Sequence, residues 1–416
     1  MKLAPGTPLS VALVFDASTR VPAARLAMDA GVAQLEWSAE VIARKLAVSP
    51  LKYPPEAGLQ AASGQEFKGL HGFLADSLPE QWGYLLMRKR LAKLDIDIAT
   101  LSVLDQLALV GSQGRGALVF EPATTPSEDV ESLDLDALAA DATALLEGEE
   151  AKLAETLAEL GGGSGGARPK VHVGFDGKGK ISVGNGEIAP GQEAWLVKFR
   201  APQDPEDIGP IEEAYAAMAE AAGLNLSNHR LIKTKKGPGY FATRRFDRLD
   251  GGKRLHMVSL AGAIEASPTI PSASYDTFLR ATLAITRRAD DVAAAFQRMV
   301  FNILASNRDD HMRQHAYLMG PDGEWRLAPA YDLTYSAGTG GEHYLDIEGE
   351  GRRPTRELVL KLGKRHGLDH KRVTAIIDKV RAAVVDWPKF AKLAGVSPGS
   401  TKMASAAHAR VWADFE

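Results

Sequence analysis

The stretch that decides the fold is Phe301-Asn302-Ile303-Leu304-Ala305-Ser306-Asn307-Arg308-Asp309-Asp310-His311-Met312-Arg313-Gln314-His315, with its sequel Leu327-Ala328-Pro329-Ala330-Tyr331-Asp332-Leu333. An apolar helix runs into a polar loop that holds a carboxylate and an amide. Two short apolar runs then flank Pro321-Asp322-Gly323, a strong hairpin turn, and a second carboxylate follows. Phosphoryl transfer needs that order: a base for the incoming hydroxyl, then an amide and an aspartate for metal, all on rigid elements. A hard cation such as Mg²⁺ takes oxygen ligands and keeps waters, so one or two carboxylates with an amide oxygen suffice. Taken singly, Asp309 and Asp310 read as a solvated helix-ending turn and Asp332 as a cap.

Two elements upstream favour the phosphotransfer reading. Gly161-Gly162-Gly163-Ser164-Gly165-Gly166-Ala167-Arg168-Pro169-Lys170 lets backbone N–H groups approach phosphate oxygens, with Arg168 and Lys170 to meet the charge. By itself such a run is as readily a flexible linker, and Ala167 after Gly166 breaks the Walker pattern. Next, Trp195-Leu196-Val197-Lys198-Phe199 reads as a strand with one lysine, followed by a helix around Ile211-Glu212-Glu213-Ala214-Tyr215. Protein kinases pair a strand lysine with a helix glutamate to hold the α- and β-phosphates. Lys198 with Glu212 is the candidate pair, with Glu213 as the alternative because helix phase is not fixed from sequence. A zinc site on His311 and His315 is disfavoured, since no HExxH pattern and no third strong ligand is evident.

The remaining sequence sets bounds. A chain of 416 residues exceeds one hydrophobic core, and 45% apolar with 25% charged residues describes an ordinary folded protein of two or three units. A net charge of −4 gives no global basic field for nucleic acid. The absence of cysteine excludes disulfides, thiolate metal sites and a cysteine nucleophile. No leader pattern or bilayer-length apolar run is seen, so a cytoplasmic protein with no membrane partner is expected. Alternating runs at Val11–Phe15 and Ala33–Trp37 predict a β-rich unit with a helical cap over 1–125, its helix starting just after Ser77 through Ser77/Glu80 capping-box spacing. An acidic linker or helix is expected over 126–160. A lobe of strands with one inserted helix follows over 161–249, then a mainly helical catalytic lobe over 250–416.

The order of these motifs resembles the HipA family, the kinase toxins of bacterial HipBA toxin–antitoxin modules. Gly72-Phe73-Leu74-Ala75-Asp76-Ser77-Leu78-Pro79 is similar to the family's N-terminal region, and Gly165-Gly166-Ala167-Arg168-Pro169-Lys170 to its phosphate loop. Phe246-Asp247-Arg248 is similar to its hinge, and Asp309-Asp310-His311-Met312-Arg313-Gln314 with Pro329-Ala330-Tyr331-Asp332 matches most strongly. The resemblance implies an α+β, two-lobed protein-kinase-like fold that uses ATP and Mg²⁺ to phosphorylate Ser or Thr of a protein, typically an aminoacyl-tRNA synthetase. It implies Asp309 as catalytic base, Asp332 with Gln314 as metal ligands and Lys198 as the ATP-phosphate lysine. His311 is implied near phosphate, backbone groups of Arg244, Arg245 and Phe246 at the adenine edge, and Tyr331 beside the nucleotide. It further implies a HipB-like antitoxin, with DNA met only through that partner. Two departures stand out: Gln314 replaces the usual Asn, and the family's self-phosphorylated Ser falls on Gly163, leaving Ser164 one residue later as the candidate. The alternative is a low-activity kinase-like subunit of a DNA-bound complex, with Arg230, Lys233, Lys235 and Lys236, or the cluster from Arg352 to Arg365, touching phosphates.

Overall fold

Alternation of apolar and polar residues along Arg20–Asp29 puts every second side chain on a buried face, and neighbouring runs with the same period pair with it. In this computed structural model the described residues are 3, 7–63, 66–124, 134–161, 165–176, 181–182, 191–235, 237–267 and 270–416. The first sheet comprises β1 (Leu9–Val14), β2 (Arg20–Asp29), β3 (Val32–Trp37), β4 (Leu59–Ala61) and β5 (Leu118–Glu121), in the order β4-β3-β2-β1-β5. Helices α1 (Ala39–Arg44), α2 (Gly72–Ala75), α3 (Gln81–Ala92) and α4 (Val103–Val110) fill the chain between these strands. The stretch expected as acidic linker or helix contains α5 (Leu135–Glu147) and α6 (Ala154–Gly161).

A second antiparallel sheet, ordered β7-β6-β8-β10-β9, is built from β6 (Lys170–Phe175), β7 (Ile181–Ser182), β8 (Glu193–Lys198), β9 (His229–Ile232) and β10 (Tyr240–Arg244). Helix α7 (Ile208–Ala221) is inserted between β8 and β9. A third sheet joins β11 (His256–Ser259) to the hairpin of β12 (Ala316–Met319) and β13 (Trp325–Leu327). The rest is helical: α8 (Leu260–Ile264), α9 (Tyr275–Thr286), α10 (Ala289–Leu304), α11 (Arg356–Arg365), α12 (His370–Val385), α13 (Trp387–Ala394) and α14 (Pro398–Phe415).

Among the described residues there are one large core, a smaller one, and a minor cluster of Met257, Ala316, Leu318 and Ala328. Phe73, Leu104, Val258, Phe278, Phe296 and Phe301 belong to a single apolar cluster that unites the first sheet with the C-terminal helices. Trp82, Leu138, Leu157, Val171, Trp195 and Val197 form a second cluster, in which α5 and α6 pack on the second sheet. Helix α10 gives the Asn307–His315 loop a fixed base, because its apolar face is buried in the large core and Asp290 and Asp291 favour its N-terminus electrostatically. Ser306, at φ +54°, then turns the chain out of the helix.

The helix expected just after Ser77 begins instead at Gln81, with Glu80 as its N-cap and no side-chain cap. The capping box does not form because the Glu80 carboxylate is taken by two guanidinium groups, Arg115 at 2.7 Å and Arg313 at 3.0 Å. Charge-assisted bonds of this kind outweigh a neutral capping contact.

Phe296 is fully buried on α10 within the large core. Phe296→Ala should destabilise the protein by about 3–5 kcal/mol. A lowered denaturant midpoint at unchanged slope would show it.

Candidate active site

The cleft lies between the second sheet and the loop after α10. It is lined from one side by Gly165, Gly166, Lys170, Lys198, Glu212 and Arg244 to Phe246, and from the other by His311, Arg313, Gln314, Tyr331 and Asp332. Residues more than 130 positions apart thus converge because the two halves of the chain close on each other.

Lys170 and Lys198 are direct cross-strand partners in the β6–β8 ladder. Like charges in that register repel unless an anion lies between them. Asp332 supplies one: its Oδ1 accepts from Lys198 Nζ at 2.5 Å and its Oδ2 from Gln314 Nε2 at 2.9 Å. Burial alone would push the Asp332 carboxyl up, yet Lys198, Lys170 and Arg168 outweigh it and hold the group well below the usual carboxylate range. Burial pushes the Lys170 ammonium down to about 8, despite the attraction of Asp332. Asp332 sits at φ +56°, a left-handed conformation that Asp tolerates better than most residues and that is concentrated at functional sites.

Lys198 also reaches Glu212 at 3.3 Å, whereas Glu213 turns away to His229 Nδ1 at 2.9 Å. Helix phase therefore pairs the lysine with Glu212. Arg168 spans Glu212 at 2.7 Å and Asp204 at 3.1 Å, so its guanidinium lies behind the Lys198–Glu212 pair, outside the cleft lining. Ala167 is exposed.

Asp309 is not among the residues that line the cleft; its side chain is 55% exposed, with Oδ1 3.9 Å from Nε2 of His311, which does line it. Desolvation pushes its carboxyl up, His311 pulls it down, and the negative charges of Asp332 and Asp310 add to the rise. His311 caps the short 3₁₀ turn Met312–Gln314, its Nδ1 accepting the Arg313 N–H at 3.2 Å. His315 is buried against Phe278, ring centroids 4.1 Å apart, and does not join His311 in a ligand set. Among the described residues no group of three or more His, Cys, Asp or Glu forms a metal cage.

At the hinge, the Arg244 and Arg245 N–H groups donate to the carbonyls of Asn228 and Ala194, each at 2.8 Å. The Phe246 and Tyr331 ring centroids lie 5.5 Å apart with the planes tilted by 41°, and the Tyr331 hydroxyl donates to the Arg313 carbonyl at 2.5 Å. The Arg245 side chain is held by Asp247 at 2.7 Å. Of the glycine run, Gly163 and Ser164 lie outside the described residues.

Sequence reasoning missed the group that holds the glycine loop. Gly166 N–H donates to Glu80 Oε2 at 2.5 Å, and Glu80 is fixed by Arg115 and Arg313. A side chain at 165 would run into the Arg115 guanidinium, and Gly166 at φ +80° occupies a conformation few L-residues adopt. Lys170 Nζ closes the loop by donating to the Gly165 carbonyl at 2.5 Å. The signal was present in Gly114-Arg115-Gly116, a cation bracketed by glycines that permit close backbone approach.

These features define a two-lobed α+β protein of the kinase-like type. The chain belongs to the HipA family: residues 162–387 match the HipA-like C-terminal domain and residues 17–121 the HipA N-terminal domain. Among solved structures it is similar to HipA in the Shewanella oneidensis MR-1 toxin–antitoxin complex of HipA, HipB and operator DNA. The identity there is 16%, with 98% of this chain and 96% of that chain covered and a TM-score of 0.70. A looser likeness is to the Helicobacter pylori proinflammatory kinase CtkA, at 13% identity over 60% of this chain and 94% of that chain, with a TM-score of 0.36. No curated protein matches the chain. Among the described residues no helix is long and apolar enough to cross a membrane.

Removing the Glu80 carboxylate leaves two guanidinium groups and the Gly166 N–H without their acceptor. Glu80→Ala should therefore cost about 1–3 kcal/mol of stability and speed amide exchange in residues 165–170, measured by denaturant unfolding and exchange mass spectrometry. Burial alone would raise the Glu80 pKa, but Arg115 and Arg313 bring it to about 2. Its contribution should accordingly be complete above the unfolded value and fade as pH falls through about 2.

Proposed function

We propose that this chain is an ATP- and Mg²⁺-dependent serine/threonine protein kinase of the HipA type, acting on a translation component such as an aminoacyl-tRNA synthetase. The observation that carries the reading is the meeting of cross-strand Lys170 and Lys198 with Asp332 and Gln314 in one cleft, with Asp309 3.9 Å from the cleft-lining His311. Two lysines set side by side suit a polyphosphate, whose charge would relieve their repulsion as Asp332 does now.

The residues divide the work. Lys198, oriented by Glu212, would bind the α- and β-phosphates, and Lys170 with the Gly165–Gly166 backbone would meet the phosphate tail. Phe246 and Tyr331 would flank the base, with the Phe246 backbone left as the hinge's contact to its edge. Asp332 and Gln314 would hold Mg²⁺ through oxygen, the Gln314 amide turning over to present Oε1. When bound, Mg²⁺ neutralises charge on the phosphate oxygens. The raised carboxyl of Asp309 suits a base that accepts the substrate hydroxyl proton. His311 lines the cleft beside Asp309 and would help to position the phosphate.

The S. oneidensis complex and the shared family support a HipB-like antitoxin as partner, with DNA reached through it. Ser164 is carried forward as a site of self-phosphorylation on the resemblance alone. A second reading is favoured by one observation: both Asp332 oxygens are already engaged, by Lys198 and by the longer Gln314. It makes the chain a low-activity binding subunit of such a complex. ATP consumption with and without Mg²⁺ separates the two readings.

Asp309→Asn and Asp332→Asn should each reduce phosphoryl transfer by about a thousandfold or more with the fold retained, and Lys198→Ala should chiefly weaken nucleotide binding. Transfer of labelled phosphate from ATP to lysate proteins measures this, and wild-type rates in either aspartate variant would refute the roles. Because Asp309 must be deprotonated to act, kcat should fall on the acid side with an apparent pKa above that of an ordinary aspartate. A pH–rate profile with its acid limb at the ordinary value would remove Asp309 as the base.

A further inference from the structure

The segment from Leu333 to Arg353 follows the metal-site aspartate and has little regular secondary structure. It contains Gly338, Gly340, Gly341 and Gly349 and, among its regular elements, one 3₁₀ turn at Thr339–Gly341. Segments of this composition hold one conformation when contacts from outside fix them. Here Leu345 and Ile347 anchor it in the large core, Glu348 pairs with Lys361 and Arg365, and Asp310 ties its middle to the loop after α10.

Asp310 is completely buried. Its Oδ2 accepts from the Tyr275 hydroxyl at 2.5 Å and from His343 Nδ1 at 2.8 Å, and its Oδ1 accepts the Tyr344 N–H at 2.7 Å. An ionised carboxylate only accepts, so the His343 proton resides on Nδ1. The network continues inward, since Asn302 Nδ2 donates to the Tyr275 hydroxyl at 2.9 Å and Asn307 Nδ2 to Asn302 Oδ1 at 3.0 Å. Helix α10, the catalytic loop, the start of α9 and the 333–353 segment are thereby joined through one side chain. Backbone stitches run alongside: Ser336 N to Ser306 O at 3.0 Å and Tyr275 N to Asp346 O at 2.9 Å. Tyr344 also lies edge-on to His311, with ring centroids 5.7 Å apart.

We infer that Asp310 is a positioning residue that clamps the 333–353 segment to the catalytic loop, so that the segment takes its working arrangement without modification of its own hydroxyl groups. The inference rests on the phosphotransfer reading for its catalytic consequence and on the network alone for the clamp. Kinase segments ordered by phosphorylation gain an anion that pairs with surrounding donors. In this chain the anion is resident, buried, and placed on the residue next to Asp309, while the donors come from the segment. Any slack in the clamp would be felt at Asp309, one residue away, and at His311 through Tyr344.

The experiment uses the full chain, free of nucleotide, with exchange mass spectrometry and steady-state kinetics. Asp310→Asn keeps the shape but offers one acceptor oxygen where three donors arrive. Amides of residues 340–348 should exchange at least about tenfold faster and kcat should fall at least about tenfold, with the KM for ATP within about twofold of wild type. A folded Asp310→Asn protein with a protected segment and wild-type kcat overturns the inference. Should that variant not fold, Tyr275→Phe keeps the ring in the core and removes one donor. A smaller loss of protection in the same peptides is then expected, and unchanged exchange there overturns the clamp. Wild-type protein whose intact mass shows no modification should transfer phosphate in its first turnover. Transfer that appears only after modification within 333–353 also overturns the inference. If wild-type protein transfers no phosphate at all, the kinase reading fails, and the exchange data still decide the clamp.

Discussion

Two lysines facing each other across adjacent strands would repel, and the protein answers this with a carboxylate from the other half of the chain. Asp332 sits against Lys198, within the field of Lys170 and Arg168, at the junction of the second sheet and the loop after α10. The arrangement constrains everything around it. The strands must stay in register to keep the ammonium groups side by side, and the hairpin β12–β13 must deliver Pro329 to Asp332 to the same place. The Lys198 ammonium, on a side chain only 9% exposed, is costly to bury unless paired, so separation of the two halves is opposed by electrostatics as well as by packing.

Four carboxylates in or near the cleft, besides Asp332 and Asp247, have the same chemistry and different surroundings. Glu212 orients Lys198 and Arg168. Glu80 accepts from the glycine loop while tied to two guanidinium groups, and so fixes the loop to α3. Asp310 joins the catalytic loop to the segment beyond Asp332. Asp309, the exposed member, has His311 at 3.9 Å, and desolvation with the neighbouring carboxylates raises its proton affinity against that attraction. A paired carboxylate builds structure, and an exposed one remains available to exchange a proton.

Much of this was legible in the chain. The runs read as strands at Val11–Phe15, Ala33–Trp37 and Trp195–Phe199 correspond within two residues to β1, β3 and β8, because half-buried strands must alternate. The hairpin around Pro321-Asp322-Gly323 was equally plain, since Gly323 takes φ +81°. Local reasoning failed where a long-range partner outbid a local one. Ser77 and Glu80 had the spacing of a capping box, yet Arg115 and Arg313 claimed the glutamate and the helix started later. Asp310 looked like the polar companion of Asp309 in a turn, and its burial against Tyr275 and His343 was invisible to spacing.

By itself the sequence determined which elements form and the order of the chemistry-bearing residues along the chain, because period, turn chemistry and residue type act over a few positions. Tertiary structure alone decided which glutamate meets Lys198, which way Arg168 turns, what holds the glycine loop, and that neighbouring aspartates take opposite environments. Those outcomes depend on contacts between residues tens to hundreds of positions apart. The energy of a buried ion pair there is set by the dielectric and geometry of the folded state, which no local pattern encodes.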